Sequence, residues 1–442
     1  MSEFPRRIAV VGAGPAGLYT AQALLTSNAE VSVDVFDRLP TPYGLLRYGV
    51  APDHFKIKSI ARALGRPLKS AAARFYGNVT VGMDIDAEDL RRHYDAVVYA
   101  TGAQRGRRLD IPGEDLPGSA AASDFVSWYN GHPYAANPLR LDSTRAVAII
   151  GAGNVALDVA RMLLSPVDRL ADTDMPNHVL HALARSQVTD VHLVARRGPA
   201  EARFTTPELR EIGELPGVET VVRAADLAGL EVLPDDRNAA GNCDLLGSWA
   251  ARATAPPTHR RLHFRFHLRP TRVSGHRSVE ALRCADPQGQ RAETLPVQAV
   301  LRSVGYRSTS IAGLPFDQRA GTIPHDAGRV TDASGTVLPG LYVVGWIKRG
   351  PTGVIGTNKA DAADTAKAVL ADLPGLPRAA HDGTDGLAGL LERRQVAYVT
   401  REGWERLDRL EEELGARAGR PRVKVTDLSL MLATCRGEET RV

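Results

Sequence analysis

The sequence predicts an α/β fold made of two Rossmann-like units, each built on a parallel sheet. Three observations predict it. Gly12-Ala13-Gly14-Pro15-Ala16-Gly17 follows a short apolar run, and Gly151-Ala152-Gly153-Asn154-Val155-Ala156 follows another about a domain later. Each glycine turn opens a helical pattern, and each helix leads to a further apolar run. Those second runs end differently, the first on Asp37 and the second on Arg196-Arg197.

Residues 7–11 (RIAVV) are β-branched and apolar and read as a strand buried on both faces. Gly12 then allows a tight turn, Gly14 a close approach of backbone to a pyrophosphate, and Gly17 close packing of helix on strand. The helix, expected from Leu18 to about Thr26, turns its N-terminal amides toward the phosphates. Residues 31–37 (VSVDVFD) alternate as a strand and bring Asp37 to its end, twenty residues past Gly17. An acid there accepts a ribose hydroxyl. Residues 95–102 (DAVVYATG) read as another buried strand with a glycine ending.

The second unit repeats this logic. Residues 146–150 (AVAII) form its first strand, and Asn154 opens a helix with Val155, Leu157, Val159 and Leu163 on its apolar side. Ala156 takes the place of the third glycine. Residues 165–189 exceed a minimal connection, so an extra helical excursion is expected before the strand 190–195. Arginines at that strand end suit a ribose 2′-phosphate rather than a hydroxyl. One fingerprint therefore fits FAD and the other NADP(H), a pairing that points to an electron-transfer flavoenzyme. A helix follows over 205–215 (TTPELREIGEL), with Thr206 expected as N-cap ahead of Pro207 and with Glu208 and Glu211 on one face.

Composition narrows the chemistry. Among 442 residues, 43% are hydrophobic and 24% charged, which is ordinary for a globular protein. The three cysteines, Cys243, Cys284 and Cys435, form no C-x-x-C pair and are too few for a four-cysteine cluster. Any one-electron centre beyond the flavin is therefore expected in a partner. No apolar run is long enough for a membrane span, and MSEFPRRIAVVG leads into a strand without a signal-like apolar region, so a cytoplasmic location is expected. The net charge of +4 is compatible with an acidic partner.

Longer strings carry a resemblance. PTPYGLLRYGVAPDHFKIKS (40–59), GAGNVALDVARMLL (151–164), ARRGPAEARFTTPELRE (195–211), RSVGYRS (302–308), VVGWIKRGPTGVIGTNKAD (343–361) and AGRPRVK (418–424) together resemble the adrenodoxin reductase-like family of ferredoxin–NADP reductases, most closely its bacterial members. The resemblance implies an NADP domain (106–327) inserted into an FAD domain (1–105 and 328–442). It implies FAD contacts at Ala16, Asp37, Leu45, Val81, Trp346 and Gly353, Val354 and Ile355. It implies NADP contacts at Arg107, Asn154, Val155, Ala156, Leu157, Arg196, Arg197, Glu208 and Gly353, and an active-site pair of His54 and Glu211. Electrons would pass from NADPH through FAD to a ferredoxin-type iron–sulfur protein. Residues 224–258 resemble the family least.

Other enzymes share the two fingerprints. A glutamate-synthase small-subunit type reductase would add cysteine-rich cluster segments, and a thioredoxin-reductase-like enzyme would need C-x-x-C. A flavin monooxygenase and a non-catalytic NADP-sensing flavoprotein remain as alternatives. Residues 261–269 (RLHFRFHLR) alternate strictly. One strand is expected, with Leu262, Phe264, Phe266 and Leu268 inward and Arg261, His263, Arg265, His267 and Arg269 outward. This basic row, with Lys348 and Arg349, is the expected dock for an acidic ferredoxin.

Overall fold

A computed structural model describes residues 5–228, 232–233, 235–252, 260–379 and 386–438. The first unit is a seven-stranded sheet. Its spatial order is His325–Asp326, Arg329–Thr331, Val337–Val343, Ala96–Tyr99, Arg6–Val11, Val31–Phe36, Ala73–Tyr76. The five strands from Val337–Val343 to Ala73–Tyr76 are mutually parallel. Arg6–Val11 lies inside this sheet, with Ile8, Ala9 and Val10 fully buried. Burying such side chains contributes roughly 1.5–3 kcal/mol each for the larger ones, which is why the run needs no alternation.

The second unit is a six-stranded sheet with spatial order Ser119–Ala121, Ala299–Arg302, Ala146–Ile150, Asp190–Val194, Arg260–Arg265, Val218–Val222, all parallel. Its strands lie in sequence between Tyr99 and His325, so it is inserted within the first unit. The chain is back in the first sheet at His325, just ahead of the boundary expected at 328. The two crossings pair with each other, Arg105–Gly106 running antiparallel to Tyr306–Arg307. A small antiparallel sheet, Arg269–Ser274, Ala281–Ala285 and Ala292–Pro296, caps one face of the inserted unit.

Several boundaries differ from expectation. The fingerprint helix starts at Pro15 and ends at Leu25, because proline is favoured in the first turn. The strands expected over 31–37, 95–102 and 190–195 span Val31–Phe36, Ala96–Tyr99 and Asp190–Val194, leaving Asp37 and Arg196 just past strand ends. The excursion over 165–189 contains two helices, Val167–Ala171 and Asn177–Ala184. Thr205, not Thr206, is the N-cap of the helix Thr206–Gly213; the Thr206 hydroxyl instead donates to the Asn238 carbonyl. Within 224–258, the helix Arg237–Ala250 buries Leu246 and Trp249 in the inserted unit's core.

The run 261–269 is not one strand. It ends at Arg265, His267 takes a left-handed φ of 55°, and Arg269 begins a strand of the small sheet. Leu262, Phe264, Phe266 and Leu268 are buried as expected. The opposite face is not a free basic row. His263 is buried and stacked on His192, Asp190 takes both Arg261 and His263, and Glu293 of the small sheet takes Arg265.

Candidate active site

The first glycine turn holds glycines of two kinds. Gly12 holds φ at 114°, and a Cβ there would lie 2.5 Å from the Ala100 carbonyl oxygen; a Cβ on Gly17 would lie 1.9 Å from that of Gly12. Those two glycines are required by the protein itself. Gly14 is different: its φ is an ordinary −76°, and an added Cβ would meet no protein atom within 4 Å. Nothing inside the chain asks for glycine there, whereas a pyrophosphate approaching the backbone does. The helix Pro15–Leu25 carries no side-chain cap, so its first amides face the same space. Asp37 is half-buried and accepts from the amides of Ala13 (2.8 Å) and Leu39 (2.9 Å), which fixes its carboxylate beside the turn. Burial outweighs these bonds and lifts its pKa to about 6.

The second turn repeats the arrangement. A Cβ on Gly151 would lie 2.2 Å from the Ser303 carbonyl oxygen, but one on Gly153 (φ −123°) would meet nothing within 4 Å. Asn154 accepts from the Thr205 amide at 2.8 Å and ties the helix start to the segment that leads to Glu208. Val155 is half-buried, while Ala156 and Leu157 are fully buried. Arg196 and Arg197 are both exposed, just past the neighbouring strand end.

Between the turns lies a charged cluster that joins the two units. His54 stands at the N-terminal boundary of the short helix Phe55–Lys58 in the first unit, with its side chain free of any capping bond. Its Nε2 lies 3.4 Å from Asp158 Oδ1, 3.6 Å from Glu208 Oε2 and 3.9 Å from Asp53 Oδ1, and also meets the Arg161 guanidinium. Arg161, with a side chain only 4% exposed, grips Asp53 through two bonds of 2.7 and 2.8 Å and reaches Asp158 at 2.9 Å, Glu208 at 3.7 Å and Glu211 at 3.9 Å. Four carboxylates thus surround one arginine and one histidine. Burial pulls the His54 pKa down, but Asp158 and Glu208 more than offset this and leave it raised. Burial also lifts the Glu208 carboxyl, and Asp158 and Glu211 add to the rise. A site with this surplus of negative charge favours a cation.

A profile of the family described as pyridine nucleotide-disulphide oxidoreductase matches residues 6–224. NADPH-ferredoxin reductase FprA of Mycobacterium tuberculosis is 44% identical, over 97% of this chain and 98% of that protein. The chain belongs to the adrenodoxin reductase-like family of ferredoxin–NADP reductases. The mitochondrial NADPH:adrenodoxin oxidoreductase of Salvelinus fontinalis is 40% identical over 97% of this chain and 91% of its own length. The structure of M. tuberculosis FprA in complex with NADPH superposes with a TM-score of 0.91 at 42% identity, covering 98% of this chain and all of that one. As a member of this family the chain is an oxidoreductase whose cofactors are FAD and NADP(H).

The remaining residues expected from the family resemblance spread around these turns. Leu45 opens the short helix Leu45–Tyr48, and Val81 bridges to Ile85. Trp346 opens the helix Trp346–Arg349, donates to the Thr352 carbonyl at 3.1 Å and packs on Tyr306 of the connecting ribbon. Gly353 has φ of 80°, Val354 is 73% exposed, and Ile355 is half-buried against the first unit's core. Arg107 is exposed and donates to the Tyr306 carbonyl at 3.1 Å. Lys348 is held by Asp361 at 2.8 Å, and Arg349 by Asn358 at 2.9 Å, so neither stands as a free docking cation.

The sequence reading missed Asp53, Asp158 and Arg161. A signal was present: in NVALDVARMLL two opposite charges three apart interrupt a helix that is otherwise apolar. Charges inside an all-round apolar helix must face partners elsewhere in the protein. Glu211, expected as the partner of His54, is mostly exposed, and Glu208 holds the nearer position.

Proposed function

We propose that this chain carries electrons from NADPH through FAD to a ferredoxin-type iron–sulfur protein. The observation that carries the reading is the pair of open glycine turns with different recognition groups, the hydrogen-bond acceptor Asp37 behind one and the donors Arg196-Arg197 behind the other. Gly12, Gly14, Ala16, Gly17, Asp37, Leu45, Val81, Trp346 and Gly353 to Ile355 hold FAD in this reading. Arg107, Asn154 to Leu157, Arg196, Arg197 and Glu208 hold NADP(H), with Gly353 shared. The FAD domain comprises residues 1–105 and 328–442, and the NADP domain 106–327.

When bound, the flavin supplies the hydride acceptor and the one-electron donor. The chain supplies position and field. His54 and Glu211, with Glu208, orient the nicotinamide carboxamide. The carboxylates of Asp158, Glu208 and Glu211 would favour positive charge on a nicotinamide ring held beside them. Arg161 keeps these like charges from repelling one another.

Relatives named for ferredoxin and adrenodoxin support an iron–sulfur partner. In this reading an acidic ferredoxin docks on the side of Arg261, Arg265 and Lys348, where it must compete with the carboxylates that already pair them, Asp190, Glu293 and Asp361. Arg261 is the most exposed of the three at 45% and is the cation to test first. Among the described residues no helix is long and apolar enough to cross a membrane, and we place the reaction in the cytoplasm. Ferredoxin-dependent cytochrome c reduction tests the reading: it requires NADPH, bound FAD and an added ferredoxin together. Reduction of cytochrome c without ferredoxin at the same rate would remove the partner from the account.

A further inference from the structure

The chain crosses between the two units twice, and the two crossings pair as a ribbon of two short strands, Arg105–Gly106 with Tyr306–Arg307. Such a ribbon permits rotation, yet hydride transfer needs the two bound rings held within a few tenths of an ångström. Something else must fix the angle. The string AGRPRVK, which the cofactor sites do not use, runs across the seam between the units.

Its central feature is Lys424, whose side chain is 1% exposed. The ammonium has three donors and three acceptors: Asp174 Oδ2 at 3.0 Å and the Asn130 carbonyl at 3.1 Å in the inserted unit, and the Arg47 carbonyl at 3.3 Å in the first. Asp174 is shared with Lys58 at 2.9 Å, one helical turn from His54. Arg420 adds bonds to the Met175 carbonyl (3.1 Å) and to Asn177 (2.6 Å) of the inserted unit. The segment is anchored in turn on the first unit by fully buried Glu411. The Glu411 carbonyl accepts from the Val423 amide at 2.9 Å, and its carboxylate accepts from the Val425 amide at 3.0 Å and pairs with Arg47 and Arg422. Burial pulls the Lys424 ammonium's pKa well below its ordinary value; Asp174 opposes that fall, while Lys58 and Arg47 add to it.

We propose that Lys424 is a positioning residue: it pins the inserted unit to the first unit at the angle that hydride transfer requires. The inference rests on the electron-transfer reading above and adds the device that aligns its two halves. A buried charge seldom adds stability over an apolar side chain of like size, but it specifies one arrangement of its partners. The pin and the Arg161–Asp53 grip bracket residues 47–58, the stretch that carries His54.

The test uses the full FAD-loaded protein and Lys424→Met. Spin labels at Glu30→Cys and Arg185→Cys, both exposed and one on each unit, in a Cys243→Ser background, report the distance between the units. The pin predicts a narrow distance distribution that broadens in Lys424→Met. It also predicts at least tenfold slower flavin reduction by NADPH, with FAD content unchanged and NADP⁺ affinity within about threefold. An unchanged distribution, or an unchanged reduction rate, overturns the proposal. Should Lys424→Met not fold, Asp174→Asn is judged by the same two readouts; if neither folds, the residues serve stability and the proposal fails. A wild type that NADPH does not reduce would instead overturn the electron-transfer reading.

Discussion

Arg161 of the inserted unit holds Asp53 of the first unit through two hydrogen bonds of 2.7 and 2.8 Å, and so fixes the residue beside His54 from across the seam. The bond geometry is that of a planar fork meeting a carboxylate edge, which a lysine cannot reproduce. The histidine proposed for the active site is therefore held by a side chain from the other unit.

This relationship predicts the effect of Arg161→Lys. Charge is kept, but the fork is lost, and a single ammonium cannot reach Asp53, Asp158 and Glu208 as the guanidinium does. Flavin reduction by NADPH should slow by about tenfold or more, and the protein should lose on the order of 2 kcal/mol of stability, discounted from the value for a fully buried pair because Asp53 is 27% exposed. Stopped-flow reduction and thermal unfolding measure the two. Wild-type behaviour in both would mean that the grip does not hold the site.

The two open glycines predict a separation of folding from cofactor binding. Gly14→Val should leave the apoprotein folded, since a Cβ there meets no protein atom within 4 Å, yet yield protein without flavin absorbance. Gly17→Val should instead fail to fold, because its Cβ would lie 1.9 Å from the Gly12 carbonyl oxygen. Gly153→Val should keep FAD and lose NADPH binding. A yellow, stoichiometric Gly14→Val protein would refute the pyrophosphate role of that turn.

Arg196 and Arg197 predict nucleotide choice. Charge-assisted bonds to a phosphate contribute roughly 1.5–3 kcal/mol each, on the order of tenfold to a hundredfold per arginine. Because both are exposed, the lower end is expected. The double alanine variant should lose kcat/KM for NADPH while NADH turnover changes little. Parallel losses with both cofactors would show that the 2′-phosphate is read elsewhere.

The raised pKa of His54 predicts a pH dependence. Its folded value lies above the ordinary 6.5, so the folded state binds the proton more tightly than the unfolded chain. The resulting stability is complete below about pH 6.5 and is lost as pH rises through the folded pKa. His132 and His192 are pushed down to about 4 and about 3 and act below pH 6.5 in the opposite sense. The difference in stability between wild type and His54→Gln should therefore shrink as pH rises above 6.5. A difference that is flat from pH 6 to 9 would mean that the carboxylates around His54 do not hold its proton.

Both Rossmann-like units were legible because their signals are local: a β-branched run, a glycine turn and a strand end lie within about thirty residues of one another. Asp37 and Arg196 fell where the spacing put them for the same reason. What stayed hidden depends on contacts distant in sequence. Arg161 and Asp53 are 108 residues apart, and Lys424 meets Arg47 across 377. The alternation over 261–269 misled for a related reason. Period two fixes which residues share a face, but not what pairs with it, and here Asp190 takes Arg261 and His263 and Glu293 takes Arg265 from other strands.

The most direct test of the account is anaerobic mixing of the purified protein with NADPH while flavin absorbance is followed, and then addition of an oxidised ferredoxin. The account predicts bleaching of the flavin band by one equivalent of NADPH, and its return as about two equivalents of ferredoxin are reduced. A flavin band that NADPH leaves unchanged, or that bleaches and does not return with any ferredoxin, would contradict it.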